Sequence, residues 1–109
     1  VFFRDTLPQL PANTNVELVR VHENKKELDL RVIERGSGET LACGTGACAA
    51  AAAAMFNGLT EREVIVHLPG GDLLIQWKTD QSSVFMTGPA TEVFRGELNT
   101  EIIVRTNVR

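Results

Sequence analysis

Hydrophobic and polar positions alternate along most of this chain, and the one long stretch that does not alternate is a run of alanines. Val16 to His22 is rich in strand-forming residues, and Leu28, Leu30 and Val32 alternate with Asp29, Arg31 and Ile33. A period of two predicts strands with one face toward a core. Asn24, in the connection between them, suits a hairpin turn. The strand pattern returns in Glu63 to Leu68, Leu73 to Trp77, Val84 to Thr87 and Thr91 to Phe94. Pro69-Gly70-Gly71 and Gly88-Pro89 supply turns between neighbours.

Between the two groups of strands, Gly36-Ser37-Gly38 breaks the pattern and a loop is expected as far as Gly46. The alanines then predict a helix from about residue 47 to residue 57, because alanine has the best helix propensity. Gly58 stands where a left-handed residue closes such a helix. No polar residue interrupts this helix before Asn57, so it is expected inside the fold, closely wrapped by other elements. The whole reads as an α+β domain: an antiparallel sheet curled around a central alanine-rich helix. Residues 1–14, with Pro8, Pro11 and Asn13, read as linker or loop, residues 15–98 as the domain, and residues 99–109 as a tail or last edge strand.

Composition narrows the class. A chain of 109 residues is one domain, and 43% hydrophobic with 23% charged residues is ordinary for a globular protein. A net charge of −3, with Lys25-Lys26 the only basic pair, argues against a nucleic-acid or anionic-membrane partner. No signal peptide is visible, and the alanine run is too short and too weakly hydrophobic for a membrane span. Two cysteines five positions apart make a poor disulfide framework and fit a reducing compartment, so a cytoplasmic location is expected. The opening Val1-Phe2-Phe3, without a methionine, reads as a piece of a longer chain.

The chemistry concentrates in Cys43-Gly44-Thr45-Gly46-Ala47-Cys48, directly ahead of the alanines. A helix start carries partial positive charge and unpaired N–H groups, so it favours a thiolate and binds a carboxylate. Such a thiol can act as general base, or when protonated as general acid, at the α-carbon of an amino acid. The plain alternative, a small buried residue beside a glycine turn, weighs about equally from position alone. Gly44 and Thr45 amides are candidates to grip a substrate carboxylate, with Thr45 also able to cap the helix; an ordinary glycine-rich cap is the bland reading. Cys48, inside the helix, reads as packing. The two cysteines alone lack ligands for a metal, and His22 and His67, without zinc-finger spacing, read as surface residues. Arg35, at a strand end beside Glu34, could hold a second carboxylate, and Asn15 could orient a substrate. Each is more simply a solvated charge or a turn residue when taken alone.

Taken together, the run from Glu34-Arg35-Gly36-Ser37-Gly38-Glu39 through Thr40-Leu41-Ala42 to Cys43-Gly44-Thr45-Gly46-Ala47-Cys48 closely resembles the second cysteine motif of the diaminopimelate epimerases. The likeness extends to Thr14-Asn15-Val16, to Leu68-Pro69-Gly70-Gly71, and from Met86-Thr87-Gly88-Pro89-Ala90 to about Leu98. The resemblance implies an enzyme that uses neither pyridoxal phosphate nor a metal. Two cysteines on opposite sides of the α-carbon interconvert LL- and meso-diaminopimelate, on the route to lysine. It implies that Cys43 is one of that pair. Gly44 and Thr45 would hold the carboxylate at the reacting end, Arg35 with Asn15 the far carboxylate, and Glu34 the far amino group.

The family has two similar halves with the active site between them, and the first-half cysteine loop and its Asn-Pro-His motif are missing from this sequence. The expected partners are therefore diaminopimelate and the absent N-terminal half, with a homodimer also open and the chain inactive alone. A bare Cys-Gly-Thr-Gly also occurs in proline racemase relatives, so a racemase acting on another amino acid is an alternative. Arg35 separates the two, because only a substrate with a second carboxylate needs that cation. A non-catalytic carboxylate-binding module is a third reading, separable by how fast Cys43 is alkylated relative to Cys48.

Overall fold

A computed structural model describes residues 14–34, 38–40 and 43–101, and the elements run in a simple order. Strand β1 spans Val16–Val21, β2 Glu27–Glu34 and β3 Gly38–Thr40. Helix α1 spans Gly44–Phe56, and β4 (Glu63–Leu68), β5 (Gly71–Gln76) and β6 (Phe85–Thr87) follow. The expected linker up to residue 13 and the tail beyond residue 101 lie outside the described residues. The strand expected over Thr91 to Phe94 is not formed: these residues are exposed and carry no regular structure.

The β1–β2 hairpin closes as its sequence suggests. Asn24 Oδ1 accepts the Lys26 N–H at 2.9 Å and Asn24 Nδ2 donates to Glu27 Oε2 at 2.7 Å, so the side chain shapes the turn. The left-handed residue, however, is Lys25, with φ of 59°. The helix ends in a Schellman arrangement: Gly58, at φ of 70°, donates to Met55 O at 3.0 Å, and Leu59 N donates to Ala54 O at 2.9 Å. The β4–β5 hairpin pairs Leu68 with Gly71 around Pro69-Gly70.

The sheet corrects the antiparallel expectation. Its order is β1-β2-β4-β5-β6, with β3 paired to β2 off this path. All pairs are antiparallel except β2 with β4, which run parallel with Leu28 opposite Val66 and Asp29 opposite His67. The reason is the helix. Parallel neighbours need a long crossover, and α1 provides it by carrying the chain back across one face of the sheet.

One face of the sheet and one side of the helix make the core. Leu28, Leu30 and Val32 from β2, Val64 and Val66 from β4 and Ile75 from β5 are almost fully buried. They pack against Ala47, Ala50, Ala51, Ala54 and Met55. Each large aliphatic side chain removed from water stabilises the fold by about 1.5–3 kcal/mol. Alanines at the contact let the helix sit close to the sheet. The helix is not wrapped all round, as its uniform apolarity had suggested. Ala49, Ala53 and Phe56 on its other side are exposed. Between that side and edge strand β1 lies a groove of about 490 Å³, lined by Val19, Val21, Ala49, Ala53 and Leu59 among others.

The outer face of the sheet mixes aliphatic residues such as Leu18, Ile65 and Leu74 with a polar cluster. His22 and His67, expected as plain surface residues, are half-buried there and bound to carboxylates from neighbouring strands. No helix among the described residues is long and apolar enough to cross a membrane.

Candidate active site

The thiol loop is a helix start rather than a loop that precedes one. Helix α1 begins at Gly44, three residues before the expected position, and Cys43 itself is the N-cap, with extended backbone at φ −153° and ψ 101°. The Cys43 carbonyl accepts the Ala47 N–H at 2.9 Å, the first helical hydrogen bond. Its sulfur accepts the Gly46 N–H at 3.3 Å and lies 3.6 Å from Thr45 Oγ1. Sulfur thus occupies the place a serine or aspartate oxygen usually takes at a cap. Thr45, expected as a possible cap, is instead the second helical residue and is exposed.

The sulfur receives an N–H donor and stands at the N-terminal end of a helix of 13 residues. The amides of Gly44 and Thr45 belong to the first turn, where the helix itself supplies no acceptor, so they are available to an incoming carboxylate. Both cysteines are half-buried and pack against the core, and burial pushes the Cys48 thiol above the usual range.

Two neighbours of the helix start were not singled out by sequence reasoning. Met86, on β6, lies so close that a Cβ on Gly44 would meet its Sδ at 3.1 Å. Glu17, on β1, reaches over the first turn: a Cβ on Gly46 would meet Glu17 Oε1 and Cys43 Sγ, each at 3.1 Å. The signal for Glu17 was in the alternation of β1, which sets it on the same side as Val19 and Val21. Register agrees, since Glu17 pairs with the buried Val32. A carboxylate on the inward face of a strand is a polar group placed where packing alone would choose an aliphatic one.

The remaining candidates collect at the same end of the sheet as far as they can be described. Asn15 is exposed and directly precedes β1. Val16 pairs with Ile33, so one further step of register brings the Asn15 backbone beside that of Glu34, the last residue of β2. Val32 in turn touches the Gly46 position, which ties this end of β2 to the helix start. Arg35 and the side chain of Glu34 lie outside the described residues.

Comparison with known proteins bears on this arrangement. The family model described as diaminopimelate epimerase matches residues 4–93. Curated proteins named diaminopimelate epimerase include one from Heliobacterium modesticaldum, 57% identical over 91 residues, or 84% of this chain and 32% of the relative. Another, from Desulfitobacterium hafniense, is 59% identical over 91 residues, 84% of this chain and 31% of the relative. A protein from Oryza sativa subsp. japonica, named as the chloroplastic form, is 54% identical over 86 residues, covering 79% of this chain and 24% of its own. The chain therefore spans about a third of the length of the first two relatives.

Proposed function

Because the chain belongs to the diaminopimelate epimerase family, we propose that it supplies one of the two acid–base thiols, Cys43, to a longer epimerase that interconverts LL- and meso-diaminopimelate in lysine biosynthesis. The observation that carries this reading is the sulfur at the N-cap of α1, receiving the Gly46 N–H at 3.3 Å. As thiolate, Cys43 takes the α-proton from one side of the substrate carbon. A thiol outside this chain delivers a proton to the opposite side, which inverts the centre. In the reverse direction the roles exchange, so each thiol needs both protonation states within reach.

The first-turn amides of Gly44 and Thr45 hold the carboxylate at the reacting carbon, where they also stabilise the negative charge that develops on deprotonation. Asn15 and Arg35 hold the distal carboxylate and Glu34 the distal amino group. The convergence of Asn15, the end of β2 and the helix start at one end of the sheet supports that assignment. The partner is the rest of the parent protein, including the N-terminal half with the second thiol. The surface such a partner would cover is apolar. Phe56 is 67% exposed and Phe94 is 84% exposed, and the groove beside β1 is mostly aliphatic.

The test uses the full-length parent protein. Cys43→Ala is expected to lower epimerisation, followed by uptake of solvent deuterium at the α-carbon, by about 10²–10⁴-fold. Turnover within a few-fold of the unsubstituted protein would sink the assignment of Cys43.

A further inference from the structure

On the sheet face opposite α1, far in the fold from the thiol, two imidazoles and three carboxylates meet across four strands. His22 follows β1, Glu27 and Asp29 lie on β2, His67 on β4 and Asp72 on β5. Register explains the meeting: Asp29 stands directly beside His67 in the parallel pair, and His67 opposite Asp72 in the antiparallel one. His22 Nε2 lies 2.8 Å from Asp29 Oδ1, and His67 Nε2 lies 2.8 Å from Glu27 Oε1. His67 Nδ1 lies 2.8 Å from Asp72 Oδ1, and the two rings are 5.7 Å apart between centroids.

We propose that His22, Asp29 and His67, completed by Glu27, form a binding site for a divalent transition-metal ion of the zinc type, which clamps β1, β2 and β4 together. Three observations converge on it. Donor atoms from His22, Asp29 and His67 all lie within 4.8 Å of one another. Ligands at about 2.0–2.1 Å from a tetrahedral zinc lie about 3.3 Å apart, so the three donors close on an ion by side-chain rotations, with Glu27, beside His67, within reach of the fourth position. Charge also suits a dication, since the carboxylates of Glu27, Asp29 and Asp72 all converge on the two imidazoles.

Arg20 has a second use. Its Nε donates to Asp29 Oδ2 at 2.8 Å, which leaves Oδ1 turned toward the imidazoles and fixes the carboxylate as an outer partner does at metal sites. Two imidazoles with two carboxylates is a donor set that zinc accepts, and neutral imidazoles are the ligating form, so protons compete with the metal. The backbones that carry the donors are held by strand hydrogen bonds, so little chain ordering is needed on binding. The clamp is structural: it bridges strands behind the core and touches no residue of the helix start.

The experiment titrates the full 109-residue chain with Zn²⁺ alone by calorimetry, and with Co²⁺ by visible absorption. Saturable one-to-one binding is expected, with Co²⁺ bands of a nitrogen–oxygen site and no thiolate charge-transfer band. His22→Gln and His67→Gln should each weaken Zn²⁺ about 10–100-fold or more. The Cys43→Ser/Cys48→Ser double variant should bind as tightly as the unsubstituted chain. Circular dichroism checks that each variant is folded, and Asp29→Asn, close in shape, serves if a histidine variant is not. Absence of binding, binding indifferent to both histidines and Asp29, or binding lost with the cysteines would each overturn the proposal.

Discussion

At the scale of single residues, the two glycines of the thiol loop do different work. An alanine at either position should gain about 0.5–1 kcal/mol of helix propensity. At Gly44 the added Cβ meets only the flexible end of Met86, at 3.1 and 3.2 Å. At Gly46 it meets Cys43 Sγ, Glu17 Oε1 and Val32 Cγ2, the last at 3.4 Å and rooted in the core. Gly44→Ala is therefore expected to leave the denaturation midpoint almost unchanged. Gly46→Ala should cost about 1–3 kcal/mol through overpacking and push the sulfur off its cap. Iodoacetamide labelling provides the second readout: in the unsubstituted chain Cys43 should react faster than the core-packed Cys48, and Gly46→Ala should change the Cys43 rate alone. A Gly46→Ala chain with unaltered stability and unaltered labelling would contradict the tight contact of sulfur, carboxylate and helix.

At the scale of elements, the polar cluster on the outer face of the sheet sets a pH window for stability. Hydrogen bonds donated to the Asp72 carboxylate, and then to that of Glu27, raise His67 above its ordinary value of 6.5. Stability from that group is fully present below about pH 6.5, and it is lost as pH rises through the raised folded value. The His67 hydrogen bond, with Asn24 second, lowers Glu27 from its ordinary 4.5; His22, with Arg20 second, lowers Asp29 from 3.8. Their contributions are present above those ordinary values and disappear as pH falls through the lowered ones. The network should thus help most between about pH 4.5 and 6.5. Exposure keeps the effect small, because solvent screens such pairs. In metal-free buffer with EDTA, the urea midpoint of His67→Gln should fall furthest below that of the unsubstituted chain at mildly acidic pH. The gap should shrink as pH rises through the raised value; a gap that widens with rising pH would contradict the sign.

At the scale of the whole molecule, the described residues form a sheet with helix α1 on one face, and that helix has Ala49, Ala53 and Phe56 exposed on its other side. The relatives are about three times longer, and the strand-free stretch after β6 holds out Val93, Phe94 and Leu98. Such surfaces are costly in water and mark contact with another body. The two cysteines in the sequence cannot flank one α-carbon, since Cys43 caps the helix and Cys48 packs into the core beside it. The isolated chain is therefore expected to exchange no α-proton of LL-diaminopimelate with deuterated solvent above the buffer rate. Adding the remaining part of the parent protein, with its own thiol, should restore exchange; robust turnover by the 109-residue chain alone would refute the two-thiol division of labour.

Five of the strands, the alanine helix, its Gly58 terminus and the family resemblance were legible because each rests on local chemistry: a period of two, a propensity, a left-handed glycine, a run of named residues; β3 instead formed inside the expected loop, and no strand formed over Thr91 to Phe94. The sequence by itself also singled out Cys43 as the candidate thiol. Three things were decided only by tertiary structure. The parallel β2–β4 pair depends on the crossover that α1 makes over the sheet, and no window of alternation records which strand a returning chain will meet. The N-cap role of Cys43 depends on where the helix starts, and glycines at 44 and 46 hid that start because their helix propensity is poor. The approach of Glu17 to the helix start at Gly46 and the gathering of His22, Asp29 and His67 join positions far apart in the chain. Such neighbours are fixed by register between strands, a property of pairs of segments that one segment's pattern does not contain.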